Sequence, residues 1–319
     1  MVFYVYLHPE VFKDAAAAPY GMQALIGILR GFLQNCCIVE FDDDRTRVEI
    51  KGVIQDLPED FDRRILKKLL VQLEKQNRFI YCLEPDYTEE KSDLECVVQQ
   101  ADAELIQLVL IGDGEDIDCG GTELKLARLA TYNGTDFEEK RSSMSGDGIT
   151  TPEDSMFAKE FMDLHLLRAL KHAKKIELFD RLAGAKFGDN YEYTIKSFIS
   201  WIGTVLPEQS NCSIEFHLGQ ADGHKSAYIK GELADYKRDS LPDDSRVEVS
   251  YYSELPHQRY ILTDQFALEV DRGLDFLNRR THKNRDVSIN TKSRKEMQAL
   301  LDVYRGQLIS KEVIGSHEE

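Results

Sequence analysis

Two hydrophobic periods alternate along residues 1–132. Val2 to Leu7 is an unbroken apolar, aromatic and β-branched run, which predicts a buried strand. Met22 to Leu33 carries apolar residues at helical spacing. Phe61 to Lys75 sets Ile65, Leu66, Leu69, Leu70 and Leu73 on one stripe, so both segments predict amphipathic helices. Cys36 to Phe41, Phe79 to Cys82 and Leu105 to Ile111 read as further strands. Leu94 to Ala103 reads as a helix, and Ala127 to Tyr132 as an added edge strand. Ala15 to Pro19 reads as a loop, and Arg47 to Ile50 either pairs with the second strand or leads into the next element. Strands alternating with helices imply an α/β domain with a mainly parallel sheet.

The pattern breaks over 133–155, a polar stretch rich in Gly and Ser that reads as a linker between a domain at 1–132 and one at 156–319. In the second block, Met156 to Lys174 and Tyr191 to Val205 predict amphipathic helices, the latter holding Trp201, the only tryptophan. Ile176 to Phe179, Ser213 to Leu218 and Arg246 to Tyr252 predict strands. Asp222 to Lys230 gives mixed signals, a loop with a helical start. A pair of strands over Pro256–Asp264 and Phe266–Val270 follows, and Ser293 to Tyr304 closes with a helix.

Composition narrows the function classes. The formal charge of −17 opposes passive coating of nucleic acid or a polybasic hold on a membrane, yet permits a local basic cleft. No apolar run approaches the ~20 residues that span a bilayer. The N-terminus lacks the basic and small-residue features of a secretion signal. The six cysteines include no Cys-x-x-Cys pair, so free thiols and a cytoplasmic location are expected.

The candidate chemistry is densest at Pro256-His257-Gln258-Arg259-Tyr260-Ile261-Leu262-Thr263-Asp264. Alternation along a strand puts His257, Arg259 and Ile261 on one face. Arg259 offers a fork of donors matched to phosphoryl oxygens, and His257 a nucleophile or proton shuttle. Asp264 follows at the strand end, and Gly273 in Asp271-Arg272-Gly273 lets backbone approach a ligand. The spacing resembles the signature of the phospholipase D superfamily, with Arg259 where the family has Lys and with Gly273 and Asn278 in the later part. It is more similar still to phospholipase D-like domains that read His-x-Arg and then Arg-Gly-Leu-Asp-Phe, found in bacterial conflict proteins and at the C-terminus of certain MIT-domain proteins. That resemblance covers about 156–310 and implies a phospholipase D-like α/β/α sandwich after the N-terminal α/β domain.

It also implies a mechanism. His257 would attack a phosphodiester and form a phosphohistidine, with Arg259, Asn278 and Arg272 stabilising the growing charge and Asp264 orienting the imidazole. Arg181, after Ile176–Phe179, is a secondary phosphate-binding candidate. A second imidazole must protonate the leaving oxygen, so the single motif implies a homodimer with facing signatures; no metal or other cofactor is needed. The function expected on these grounds is a nuclease of a bacterial defence or stress system, with nucleic acid favoured over lipid. The alternatives are a non-catalytic module binding a phosphate ligand or a partner protein, and a Mg²⁺-dependent ribonuclease in the first domain.

The last alternative rests on Glu40, Asp42, Asp102, Asp113, Glu115 and Asp116 near strand ends, an order loosely similar to a PIN-like domain. The departure is at the first strand, where His8-Pro9-Glu10 stands instead of an Asp. Of the remaining histidines, His165 and His172 read as packing or surface residues, and His217 and His224, in one strand-to-loop region, start no second His-x-Lys motif. His282 lies in the basic segment 279–285, the clearest positive stretch on an acidic chain.

Overall fold

The computed structural model describes residues 1–41, 45–82, 93–115, 117, 124–146, 148–206 and 211–315. The fold is mixed α/β, in two compact units: Val2–Ser145, and Gly146–Glu319 with Met1.

In the first unit, strands β1 (Phe3–Leu7), β2 (Cys36–Glu40), β3 (Phe79–Tyr81), β4 (Ile106–Ile111) and β5 (Lys125–Arg128) form one parallel sheet in the order β3-β2-β1-β4-β5. All five residues of β1 and all five of β2 are buried, as expected of strands covered on both faces. The helices of this unit are α1 (Glu10–Ala17), α2 (Gly21–Asn35), α3 (Arg45–Asp56), α4 (Phe61–Lys75), α5 (Asp93–Gln100) and α6 (Asp136–Gly146). The stripe on α4 buries Leu66, Leu69, Leu70 and Leu73, and Asp60 caps the helix by accepting from the Arg63 N–H at 2.8 Å. Arg47 to Ile50 is helical, part of α3. Its backbone is anchored where the Arg47 N–H and guanidinium both reach Glu40, each at 3.1 Å. The stretch read as a loop begins as the end of α1, through Ala17, with Val11, Phe12 and Ala15 buried; Ala18 and Pro19 do lie outside a helix.

The segment expected as a linker is folded. Residues 136–146 are α6, held in the first unit by buried Phe137 and by Arg141, whose guanidinium binds Glu138 at 2.7 Å and the Gly31 carbonyl at 3.1 Å. Ile149–Thr151 is a strand, β6, at the edge of the second sheet. The following turn is pinned by the wholly buried Asn284, which donates to the Pro152 carbonyl at 2.6 Å and accepts from the Met156 N–H at 2.8 Å. These long-range side-chain partners are invisible to a local reading of polarity.

The second unit is built on an eight-stranded mixed sheet, order β15-β9-β8-β7-β10-β11-β14-β6. Its members are β7 (Lys175–Asp180), β8 (Ser213–Gly219), β9 (Arg246–Tyr252), β10 (Tyr260–Thr263), β11 (Ala267–Val270), β14 (Val287–Lys292) and β15 (Leu308–Ile314). The short pair β12 (Leu277–Asn278) and β13 (Lys283–Asn284) stands apart. β7, β8 and β9 run parallel; β10 then returns to the other side of β7, antiparallel to it. The helices are α7 (Ala158–His165), α8 (Leu167–Leu170), α9 (Ala183–Lys186), α10 (Asp189–Val205), α11 (Gly223–Ser240) and α12 (Arg294–Tyr304). The single helix expected from Met156 breaks at Leu166, and the mixed segment from Asp222 is a full helix capped by that aspartate, which accepts from the Lys225 N–H at 2.8 Å. On one sheet face, Leu301 of α12 packs with Phe179, Tyr252, Tyr260, Leu262 and Ala267.

Candidate functional site

The register of β10 on β7 decides where the motif residues go. Tyr260 pairs with Phe179 and Thr263 with Ile176, so Arg259 and Asp180 meet just past the carboxyl end of β7. Sites in open α/β sheets form at such strand ends, where the chain order reverses. Asp180 is buried, and its carboxylate is fully engaged. Oδ1 accepts from the N–H groups of Leu182 (2.8 Å) and Ala183 (3.2 Å), Oδ2 from the N–H of Leu274 (2.9 Å), and Arg259 Nε lies 3.6 Å from Oδ1. Burial pushes the Asp180 carboxyl above its ordinary range, against the downward pull of the backbone donors and Arg259. Arg259 also donates through Nη1 to the Asp271 carbonyl. Gly273 closes over this pair with φ +60°. A Cβ there would stand 2.9 Å from Cβ of Arg259 and closer still to its Cδ and to Asp180 Oδ2, so only glycine fits.

Arg259 forms part of the wall of an open cavity of about 640 Å³. Lys186, Arg272 and Arg285 bring further positive charge, and Gly188, Asp189 and Asn190 bring the first turn of α10. That 17-residue helix starts at Gly188, φ +129°, with no side chain capping its N–H groups. An uncapped helix N-terminus next to fixed guanidinium groups favours an anion. The carboxylates around the rim are partly committed: Asp275 pairs with Arg285 at 2.5 Å, and Asp271 Oδ1 accepts from the Ser288 N–H at 3.0 Å. Arg272 is steadied through Nε by the Asp286 carbonyl at 3.0 Å. A second hollow of about 550 Å³ shares Asp189, Asn190 and Arg285 with the first and adds Asn278, Arg279 and Arg280. There the Asn278 carboxamide accepts from the Arg280 N–H at 3.0 Å.

The structure therefore brings Arg259, Arg272 and Asn278 to one end of the sheet, and separates the other expected residues from them. His257 is exposed on the loop ahead of β10 and does not line the cavity, whose lining includes no histidine. The strand expected from Pro256 starts only at Tyr260: β7 ends at Asp180, opposite Arg259, and the last rung to β11 is the Val270 N–H on the Arg259 carbonyl at 2.9 Å, so His257 lies beyond the ladder. Asp264 sits at the opposite end of β10, where it accepts from the N–H groups of Lys174 (2.9 Å) and Lys175 (3.4 Å). Five residues at ~3.3 Å each put it roughly 16 Å from Arg259, so it is not the partner of an imidazole at the cavity. Arg181 is exposed and absent from the lining; its neighbour Asp180 is the residue that organises the site. A carboxylate ending an apolar strand was the available signal for Asp180. Arg285 was signalled only as the end of the basic segment 279–285, and Lys186 carried no signal.

In the first unit the acidic cluster does not assemble among the described residues. Glu40 is buried against Arg47, Asp102 precedes β4 at the other end of the sheet, and the Asp113 N–H donates to Asp14 at 2.6 Å. Asp42 and Asp116 lie outside the described residues.

No protein-family model and no curated protein matches the chain. Among solved structures, one of the archaeal chromatin protein TrmBL2, reported to show a novel mode of DNA binding, aligns over 93% of this chain and 95% of that one. Identity is 11% and the TM-score 0.26, too low for the likeness to carry a fold or a function across. No described helix is long and apolar enough to cross a membrane.

Proposed function

We propose that the second unit is a phosphate-recognition module that holds a single phosphoryl group in the cavity beside Arg259, without catalysis. The observation that carries this reading is the immobilised guanidinium of Arg259, locked by Asp180, the Asp271 carbonyl and Gly273 at the mouth of an uncapped helix. Pre-organised forks of this kind suit phosphate oxygens and lose little entropy on binding. The acidic side chains of Asp189, Asp271, Asp275 and Asp286 around the same cavity disfavour a long polyanion, as does the net charge of −17. A phosphorylated terminus, such as a nucleic-acid end, suits the site better than a backbone threaded through it. Phosphodiester cleavage through a phosphohistidine, on a homodimer, would require His257 to swing into the cavity from its exposed loop.

The test is fluorescence polarisation with a short 5′-phosphorylated oligonucleotide, its 5′-hydroxyl counterpart, and inorganic phosphate as competitor. Binding is expected to depend on the phosphate and to fall about tenfold or more in Arg259→Gln, the loss of one charge-assisted contact. Equal affinity for the two oligonucleotides, or none lost in Arg259→Gln, overturns the reading. EDTA-resistant cleavage abolished by His257→Ala would replace it with the phosphohistidine mechanism.

A further inference from the structure

A second constellation lies on the sheet face opposite Asp180. Glu177 on β7 is in register with Glu215 on β8, and Phe179 with His217, so Glu177, Glu215 and His217 project side by side from the same face. One ligand atom from each of the three lies within 4.8 Å of the others. His217 is buried, with only 7% of its surface exposed, and its ring is fixed twice. Phe179 stacks on it at 4.1 Å and 4°, and Nδ1 meets the Tyr252 hydroxyl at 2.9 Å. Its other nitrogen, Nε2, makes no hydrogen bond and stands 3.5 Å from Glu177 Oε1 and 3.5 Å from Glu215 Oε2. Ligands about 2.1 Å from a tetrahedral zinc ion are about 3.4 Å apart, so these separations are those of a coordination edge.

We infer that Glu177, Glu215 and His217 form a divalent transition-metal site of the zinc type. With its proton on Nδ1, donated to Tyr252, the imidazole turns a lone pair from Nε2 toward the two carboxylates. A hydrogen bond from the distal N–H is the usual support of a ligating histidine, and here the Tyr252 hydroxyl accepts it. Three protein ligands leave a fourth position open. The ammonium of Lys175 now stands 3.0 Å from Glu177 Oε1 and 3.0 Å from Glu215 Oε1. Its side chain is 39% exposed, so it has solvent to swing into when a metal enters. Lys175 is thus a built-in competitor that sets the affinity. The site is independent of the Arg259 cavity.

The experiment uses the full chain, stripped with EDTA and titrated with Co²⁺, followed by calorimetry and by visible and near-ultraviolet absorption. Nitrogen and oxygen ligation gives d–d bands without the thiolate charge-transfer absorption that binding to cysteine would add. Wild type is expected to take one such equivalent. Glu215→Gln and His217→Ala are expected to lose it, with folding checked by Trp201 fluorescence. Lys175→Met is expected to bind about tenfold tighter or more, since it removes a cation from the site. Identical titrations of wild type, Glu215→Gln and Lys175→Met overturn the proposal. So does binding seen only in Lys175→Met, which would make the ammonium the permanent occupant.

Discussion

Replacing Gly273 by alanine tests the construction of the Arg259 site with a single methyl group. Two costs add. The backbone at φ +60° is a left-handed conformation that costs an L-residue about 1 kcal/mol or somewhat more. The new Cβ also meets Arg259 and the buried Asp180 carboxylate, a local overpacking that costs about 1–3 kcal/mol. The expected loss is therefore roughly 2–4 kcal/mol, with phosphate affinity lowered as Arg259 is displaced. Urea unfolding followed by fluorescence of Trp201 reads the second unit, because this single tryptophan lies in α10. Gly231→Ala is the control. It lies inside α11 with nothing within 4 Å of the added carbon, and should gain about 0.5–1 kcal/mol from helix propensity. If Gly273→Ala changes the unfolding free energy by less than about 0.5 kcal/mol, the claim that this residue closes over a rigid ion pair is wrong.

Asp264→Ala should cost about 1–2 kcal/mol, by leaving the N–H groups of Lys174 and Lys175 without their acceptor, while phosphate affinity stays unchanged; urea unfolding and the polarisation assay separate the two effects. His257→Ala should alter neither quantity, because the side chain is exposed and outside the cavity. Acid should weaken the second unit through Glu215. Burial raises this carboxyl, but the hydrogen bond and charge of the Lys175 ammonium, with the charge of Lys311, outweigh it and bring the group down to about 2. A lowered folded value gives stability that is present above the ordinary carboxylate range, near 4.3, and is lost as pH falls through about 2. Glu177 shifts in the same direction. Asp180, raised by burial, has the opposite sign, its contribution being lost as pH rises through its folded value. Urea midpoints measured by Trp201 fluorescence from pH 6 to pH 3 should fall, and Glu215→Gln should flatten the slope.

Strong local patterns carried the framework. The buried runs of β1, β2 and β4 and the leucine stripe of α4 are visible because every residue in them votes for the same period. Arg259, Arg272 and Asn278 were legible as a polar group near strand ends. What failed was whatever depends on a distant partner. His257 looked as though it shared a strand face with Arg259, but the rungs to β7 and β11 run out at Arg259, two residues later. The polarity of 136–151 hid a helix anchored by Arg141 and a strand paired with β14. The cluster of Glu177, Glu215 and His217 was written in plain alternation, Lys-Ile-Glu-Leu-Phe beside Glu-Phe-His. Only the parallel register of β7 with β8 brings those side chains together.

β6 gives the boundary between the units a practical meaning. Ile149–Thr151 covers the outer rim of β14 through the pairs Val287 with Thr151, Ser288 with Thr150 and Ile289 with Ile149. A fragment cut at residue 156, where polarity alone suggests a start, would strip that cover. It would leave amide and carbonyl groups of β14 unpaired, a template on which a second molecule can add its own strand. Such a fragment should self-associate more than one starting at Gly146, which keeps the three-residue β6 as a short edge in front of β14.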